Sequence, residues 1–257
     1  MSSIVDTPAP WNLDGEMYWI MLGSQSALPH ASYHALEQPD TSEPHDGTHK
    51  YLGGQGMVWI VRYKNGNIGP YDELIYFPGD FAAPSGHRRA RVTLLYVSTK
   101  ESVYNGRRNW NVPKHLANFA FTPQEDGSTL ITVTLPSASQ PFFAAVCQPT
   151  RFFPSRGVPF NAAWIPSNLP LVQPPLRAGP IDKPEEVGTD EWKSTAFDLG
   201  GRVRPVWWSP HLGSGLEQYA NGVEFPKLTS TWSLGAHWPT FDMIFNESGK
   251  VDCEPPA

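Results

Sequence analysis

Residues 96–121 read YVSTKESVYNGRRNWNVPKHLANFAF. The stretch opens as a strand at Tyr96-Val97, and Ser98 to Tyr104 suits one helical turn in which Glu101 closes a capping box on Ser98. Asn105-Gly106 and the arginines Arg107 and Arg108 then read as a turn. Pro113 fixes its own φ and pushes Val112 towards an extended conformation, so the backbone that aims Lys114 is stiffer than an ordinary loop. Apolar residues resume at Leu116, Ala117, Phe119 and Phe121, which sets Lys114 at the mouth of a buried strand. Two readings stand on these features: a solvated loop lysine, and an amine nucleophile held rigidly beside apolar neighbours.

Upstream the β signals are frequent. MVWIVRY (57–63) is a nearly continuous apolar run, as in a strand buried on both faces or lining a cavity. Asn65-Gly66-Asn67 is a turn signal and YDELIYF (71–77) is the next strand, so the pair reads as a hairpin. The period of two puts Tyr71, Glu73, Ile75 and Phe77 on one face. Glu73 is the odd polar member of that face. A carboxylate on the core side must be hydrogen-bonded, paired or functional, because burying it unpaired costs several kcal/mol. A structural partner, Arg62 or Arg91, and a functional role are both open at this point.

Tyr18 to Leu22 reads as a first strand, preceded by an extended arm over residues 1–16 whose Pro8, Pro10 and Trp11 are free to pack across a neighbouring surface. RVTLLYV (91–97), TLITVTL (129–135) and FFAAVC (142–147) are further strands. Residues 149–184 are rich in proline, which removes ladder donors, so this segment wraps the outside or walls a cavity. A last group of β-like runs follows at VRPVWW (203–208), NGVEF (221–225), STWSL (230–234) and FDMIF (241–245). Trp207, Trp208, Trp232 and Trp238 gather there, to fill a core or line an apolar ligand pocket. No long amphipathic helix, repeat or heptad pattern is present, so the chain is expected to be predominantly β with a few short helices, in a single domain over 1–257.

Composition narrows the function classes. A net charge of -6 with 17% charged residues argues against a nucleic-acid partner, and the one local basic run, Arg88, Arg89 and Arg91, suits a solvated strand end. The apolar run from Met17 to Gly23 is too short to span a membrane, which gives a soluble, cytosolic reading. Cys147, closing an apolar run, reads as a buried thiol and Cys253 lies in the polar tail, a usage that fits a reducing compartment. His30 and His34, and likewise His45 and His49, share four-residue spacing. However, Pro44 and Asp46-Gly47 oppose a helix around the second pair and no HExxH-type motif is present, so no metal and no cofactor are expected and a mobile loop or cap is preferred.

GRRNWNVPKHLANF (106–119), with GPYDELIYFPG (69–79) upstream of it, resembles the acetoacetate decarboxylase superfamily over roughly residues 10 to 150. In that family a Gly-Arg leads into a Pro-Lys-Lys-Leu segment whose first lysine forms a Schiff base, and a Gly-x-Tyr-x-Glu segment supplies a carboxylate. The resemblance implies that Lys114 is the Schiff-base lysine and Glu73 the carboxylate, in a closed, cone-like β architecture whose members tend to oligomerise. Three departures accompany it. His115 stands where the family has a second lysine; Glu16 or Met17 stands where it has an arginine for the substrate carboxylate; Val58 or Trp59 stands where it has a second acid.

A free lysine has a pKa near 10.4, so at pH 7 only about one amine in a few thousand is neutral. Bringing such a group to pKa 6 or 7 takes roughly 5 kcal/mol of destabilisation of the ammonium, from burial or a close cation. Trp110 and Phe119 are expected to desolvate Lys114, with Arg107 or Arg108 helping. The expected activity is a lyase-type step on a carbonyl or β-keto compound: Lys114 forms the imine, Glu73 moves protons, and Tyr71 or His115 orients or relays. Trp59 is counted among the substrate contacts, and Arg62, Arg107 or Arg108 as a substitute anchor for a carboxylate. With that anchor in doubt, aldol, dehydration, isomerisation or cyclisation steps stand beside decarboxylation. A noncovalent binder of hydrophobic molecules, or a cyclase acting on a polyene or polyketide by shape, is the alternative.

Overall fold

The computed structural model describes residues 4–39, 50–164 and 170–251. An eleven-stranded sheet dominates it, running in the order Lys114–Leu116, Leu94–Val97, Tyr71–Phe77, Gln55–Asn65, Trp11–Ser24, Leu234–Phe245, Phe197–Pro210, Phe143–Pro149, Thr129–Thr134 and Asn118–Pro123, with Val158–Asn161 paired to Phe197–Pro210 off this path. The two end strands are separated in sequence by Ala117 alone. The sheet therefore curls until its ends meet, giving a nearly closed, barrel-like wall.

One pair in this sheet is parallel, Leu94–Val97 with Lys114–Leu116. Parallel neighbours need a crossover, and the helix Lys100–Trp110 supplies it. The turn expected at Asn105-Gly106 is thus helix interior. Thr99, not Ser98, caps it by accepting from the Ser102 amide at 3.3 Å, and Asn111 ends it in the left-handed conformation at φ 55°. Asn105 is tolerated there because its buried amide is fully used: Nδ2 donates to Val5 O and Glu101 O at 3.0 Å each, and Oδ1 accepts from Thr7 N at 2.7 Å.

Those bonds also place the N-terminal arm. Residues 4–10 lie along the helix, with Asn109 Nδ2 donating to Thr7 O at 2.9 Å and Arg108 paired with Asp6. Residues 11–16, read from sequence as part of the arm, belong to the central Trp11–Ser24 strand. Their partners are remote, since Trp11 pairs with Phe245 and sets its ring edge-on to Trp110 at 4.9 Å.

The hairpin Gln55–Asn65 and Tyr71–Phe77 forms as read, in an antiparallel register that puts Val61 opposite Glu73. Both strands are buried on two faces. Val58, Ile60, Leu74 and Tyr76 join one core, and Trp59, Val61, Ile75 and Phe77 join another with the helix residues Val103 and Trp110. This double burial explains the unbroken apolar run at 57–63.

The proline-rich segment stays off the path of the main sheet. It contributes Val158–Asn161 at the side of the main sheet and Leu171–Gln173 to a separate three-stranded sheet with Lys193–Thr195 and Gly249–Lys250. NGVEF forms no strand: Asn221 Oδ1 accepts from the amides of Val223 and Glu224 and turns the chain there. In STWSL only Leu234 belongs to a strand. Among the expected core tryptophans, Trp208 and Trp238 are buried, whereas Trp207 and Trp232 are about half exposed. Cys147 is buried, and burial pushes its thiol up to about 12. His45, His49 and Cys253 lie outside the described residues. No helix among the described residues is long and apolar enough to cross a membrane.

Candidate active site

Lys114 and Glu73 come together from different strands. Lys114 opens the Lys114–Leu116 strand behind Pro113, with its own amide donating to Val112 O at 2.8 Å. Glu73 sits mid-strand, two positions across the sheet. Lys114 Nζ donates to Glu73 Oε2 at 2.9 Å and to Ser102 Oγ, from the first turns of the crossover helix, at 3.0 Å. All three are buried, with relative exposures of 5%, 4% and 0% for Lys114, Glu73 and Ser102. Burial raises the Glu73 carboxyl above its ordinary value, while the charge and hydrogen bond of Lys114 oppose the shift.

The pair opens onto a cavity of about 40 Å³. Tyr71, Ile75 and Phe77 line it with Glu73, as the shared strand face requires. Trp11, Trp59 and Trp110 supply indole walls, Phe197 and Phe245 close it, and Leu171 reaches in from the proline-rich segment. The volume holds roughly three water-sized groups. Lys114 Nζ stands 5.2 Å from the centre of the Tyr71 ring. The Tyr71 hydroxyl is within hydrogen-bonding reach of Ser102 and Tyr63, and burial holds both phenols well above their usual range. The hydroxyls of Tyr63, Tyr71 and Ser102 therefore lie close together, with Ser102 as the member that bonds the amine.

Of the residues picked out from the sequence, Lys114, Glu73, Tyr71, Trp59 and Trp110 meet at this cavity, and Arg62, Arg107, Arg108 and His115 do not line it. Arg62 bonds Asp72 at 3.4 Å and lies 4.1 Å from the centre of the Phe121 ring. Arg108 is half exposed beside Asp6. Arg107 is fully buried, but its guanidinium donates to Glu37 Oε1 at 2.8 Å, Arg177 O at 2.6 Å and Val187 O at 2.9 Å. Phe119 packs against the opposite core. In the first strand Met17 joins the core on the cavity side, while Glu16 takes a bond from His237 at 2.7 Å. Trp59 lines the cavity and Val58 faces away.

His115 is held between two carboxylates, Glu37 Oε2 at 2.8 Å and Glu186 Oε1 at 2.9 Å. Burial lowers its pKa, but the bonds and charges of the two carboxylates outweigh burial and raise it above the ordinary value. The ligand atoms of His34, Glu37 and His115 lie within 4.8 Å of one another, a spacing open to a metal ion. The two imidazoles, however, stack at 3.5 Å between centroids and 26° between planes. In-plane lone pairs of near-parallel stacked rings do not converge on one ion, and Glu37 is already engaged by Arg107. His30 lies apart, against Gly222 O at 3.2 Å.

Ser102, Tyr63 and Trp11 belong to the site and were not among the residues expected there. Ser102 was within reach of sequence reasoning, since a helix carried on to Trp110 would have turned it towards the lysine. Trp11 was hidden by its assignment to the arm.

No family model and no curated protein matches the chain. Solved structures do. Acetoacetate decarboxylase from Legionella pneumophila is 13% identical with a TM-score of 0.60, covering 95% of this chain and 88% of that one. The enduracididine biosynthesis enzyme MppR is 11% identical with a TM-score of 0.59, over 98% and 91% of the two chains. An acetoacetate decarboxylase-like enzyme from Sphingomonas wittichii is 13% identical with a TM-score of 0.57, over 98% and 95%. The chain is thus a mostly β protein with a curled, nearly closed sheet and a crossover helix beside a buried lysine and carboxylate. Its particular fold is the acetoacetate decarboxylase-like fold.

Proposed function

We propose that the chain is an imine-forming enzyme of the acetoacetate decarboxylase type, acting on a small carbonyl compound through Lys114. The observation that carries this reading is the buried amine of Lys114, bonded at once to Glu73 and Ser102 at the wall of an apolar cavity. An ion pair buried for stability alone gains little over apolar residues of the same volume. An amine beside a proton acceptor and an enclosed space is what imine chemistry requires.

In the proposed sequence a proton passes from the ammonium to Glu73, and the free amine adds to the substrate carbonyl. Glu73 returns the proton to the carbinolamine hydroxyl, which leaves as water, so that amine and carbonyl become iminium. The iminium then withdraws the electron pair of a bond at the α-carbon. Glu73, again a carboxylate, accepts the proton if that bond is C–H. Ser102 holds the nitrogen, and Tyr71 beyond it can relay a proton. Closing the site against water keeps the imine from hydrolysing before it reacts.

Borohydride added to the protein with a panel of ketones, 1,3-dicarbonyls and β-keto acids tests the reading. The expected result is a reduced adduct that peptide mapping places on Lys114 and that is lost in Lys114→Ala. A folded protein that forms no adduct across the panel overturns imine chemistry and leaves a cavity that works without covalent bonding.

A further inference from the structure

We infer that the site selects neutral carbonyl compounds with an α-hydrogen and rejects their carboxylate-bearing counterparts, an inference that rests on the imine reading above. The cavity walls carry two charged groups, Lys114 and Glu73, and these neutralise each other at 2.9 Å. The other lining residues are aromatic or aliphatic, with Tyr63 and Tyr71 as the hydroxyl-bearing members. All 19 lysines and arginines of the given sequence fall among the described residues, so the undescribed segments of this sequence bring none. Those nearest are committed: Arg107 to Glu37, Arg62 to Asp72, and the buried Arg91 to a place between the rings of Phe81 and Trp192.

A substrate carboxylate would bring a second negative charge into this space against the one positive charge of the iminium. It would stand near Glu73 with no cation besides the iminium, so the two tyrosine hydroxyls alone would answer for its lost hydration. A neutral ketone meets no such penalty. Its electron pair for the enamine comes from the C–H bond: Glu73 takes the α-proton, the C–H pair forms the carbon–carbon double bond, and the former π pair settles on the Lys114 nitrogen. Return of a solvent-derived proton restores the iminium, and water releases the ketone. Exchange of α-hydrogen with solvent is the partial reaction this geometry supports.

Matched pairs isolate the charge. Acetylacetone differs from acetoacetate, and butanedione from pyruvate, by a methyl carbon in place of a carboxylate oxygen. Each compound is incubated with the wild-type protein and borohydride, and the Lys114 adduct is quantified by peptide mapping. The neutral member is expected to label Lys114 at least about tenfold faster in both pairs, and butanone in deuterated water to gain deuterium at its α-carbons. Glu73→Gln removes the repelling charge and keeps the shape. It also removes the proton acceptor, so labelling is expected to slow for all four compounds. The neutral-to-carboxylate ratio of the rates that remain, read at a pH high enough to free the amine, is expected to fall. Equal or faster labelling by acetoacetate and pyruvate overturns the inference and leaves imine chemistry standing. A ratio unchanged in Glu73→Gln also overturns it, by assigning the selection to shape. No Lys114 adduct with any of the four removes the imine reading itself.

Discussion

Gly106 faces the side chain of Lys114 so closely that a Cβ built on it would stand 2.5 Å from both Cδ and Cε of the lysine. The glycine sits inside a helix, where it lacks the usual excuse of a turn. Its role is to let the lysine stem pass flat against the helix on the way to Glu73. Gly106→Ala sets two effects against each other: a gain of about 1 kcal/mol in helix propensity and about 1–3 kcal/mol from overpacking. Stability is therefore expected to fall by about 0–2 kcal/mol. Imine trapping on Lys114 is expected to fall by at least about tenfold, because the stem must swing away from the carboxylate. Thermal unfolding and adduct yield, measured on one preparation, check both halves.

Removing the amine exposes the cost of its partner. Lys114→Met leaves Glu73 buried without the charge that opposes its upward shift. A carboxyl whose folded pKa lies above the unfolded one is tolerated while protonated and destabilises as pH climbs through that interval. Lys114→Met is therefore expected to match the wild type in urea near pH 4. Towards pH 8 it should fall behind by about 3 kcal/mol, and Lys114→Met with Glu73→Gln should recover most of the loss. A variant whose deficit is the same at both pH values would place the cost in packing.

How much of this could be read from the residues depends on how far each determinant reaches. The Tyr71, Glu73, Ile75, Phe77 face needed only the period of two, and all four side chains line the cavity. The Asn65-Gly66-Asn67 turn needed only neighbours, and the hairpin formed. The helix was cut short because Asn105-Gly106 is a local turn signal, and what overrides it is remote: Val5 and Thr7 for Asn105, Lys114 for Gly106. The same distance hid the fates of the cations. Arg107 looked available to the site from its place before Lys114, yet its partner Glu37 is 70 residues away. Trp11 read as an arm because its strand neighbours lie at the far end of the chain.

Ser102 accepts from the Lys114 amine and Tyr71 lies beside Ser102, so in the proposed mechanism their contributions are interdependent. Ser102→Ala keeps the helix cap, since Thr99 accepts from the Ser102 backbone amide, and removes one of the two partners of Lys114 Nζ. A lost bond to a buried charged group is worth about 1.5–3 kcal/mol, so trapping is expected to slow by at least about tenfold. Tyr71→Phe breaks the same chain one step out. If the hydroxyls form a relay, the double variant loses little more than the worse single one, whereas losses that add would mean independent roles.

His115 ties three segments together behind the site, and its two carboxylates make that tie pH-dependent from both directions. Its own pKa is raised, so its contribution is fully present below the unfolded value of 6.5 and is lost as pH rises through the higher folded value. Glu37 and Glu186 are both lowered, although burial alone would raise them. In each, the bond and charge of His115 oppose burial, joined by His34 and Arg107 at Glu37 and by Lys183 and Arg107 at Glu186. Their contribution is present above the unfolded carboxyl value of 4.5 and is lost as pH falls below it. The network is therefore strongest between about pH 4.5 and 6.5. Above that window Glu37 keeps its direct pair with Arg107 at 2.8 Å, while Glu186 keeps Lys183 at 3.5 Å and the unbonded charge of Arg107. The segment around Glu186 is the one expected to loosen first. His115→Gln should flatten the alkaline fall of the urea midpoint between pH 6 and 9, and hydrogen exchange around residues 178–187 should quicken in the wild type over the same range. An alkaline slope unchanged in His115→Gln would move the titration to another group.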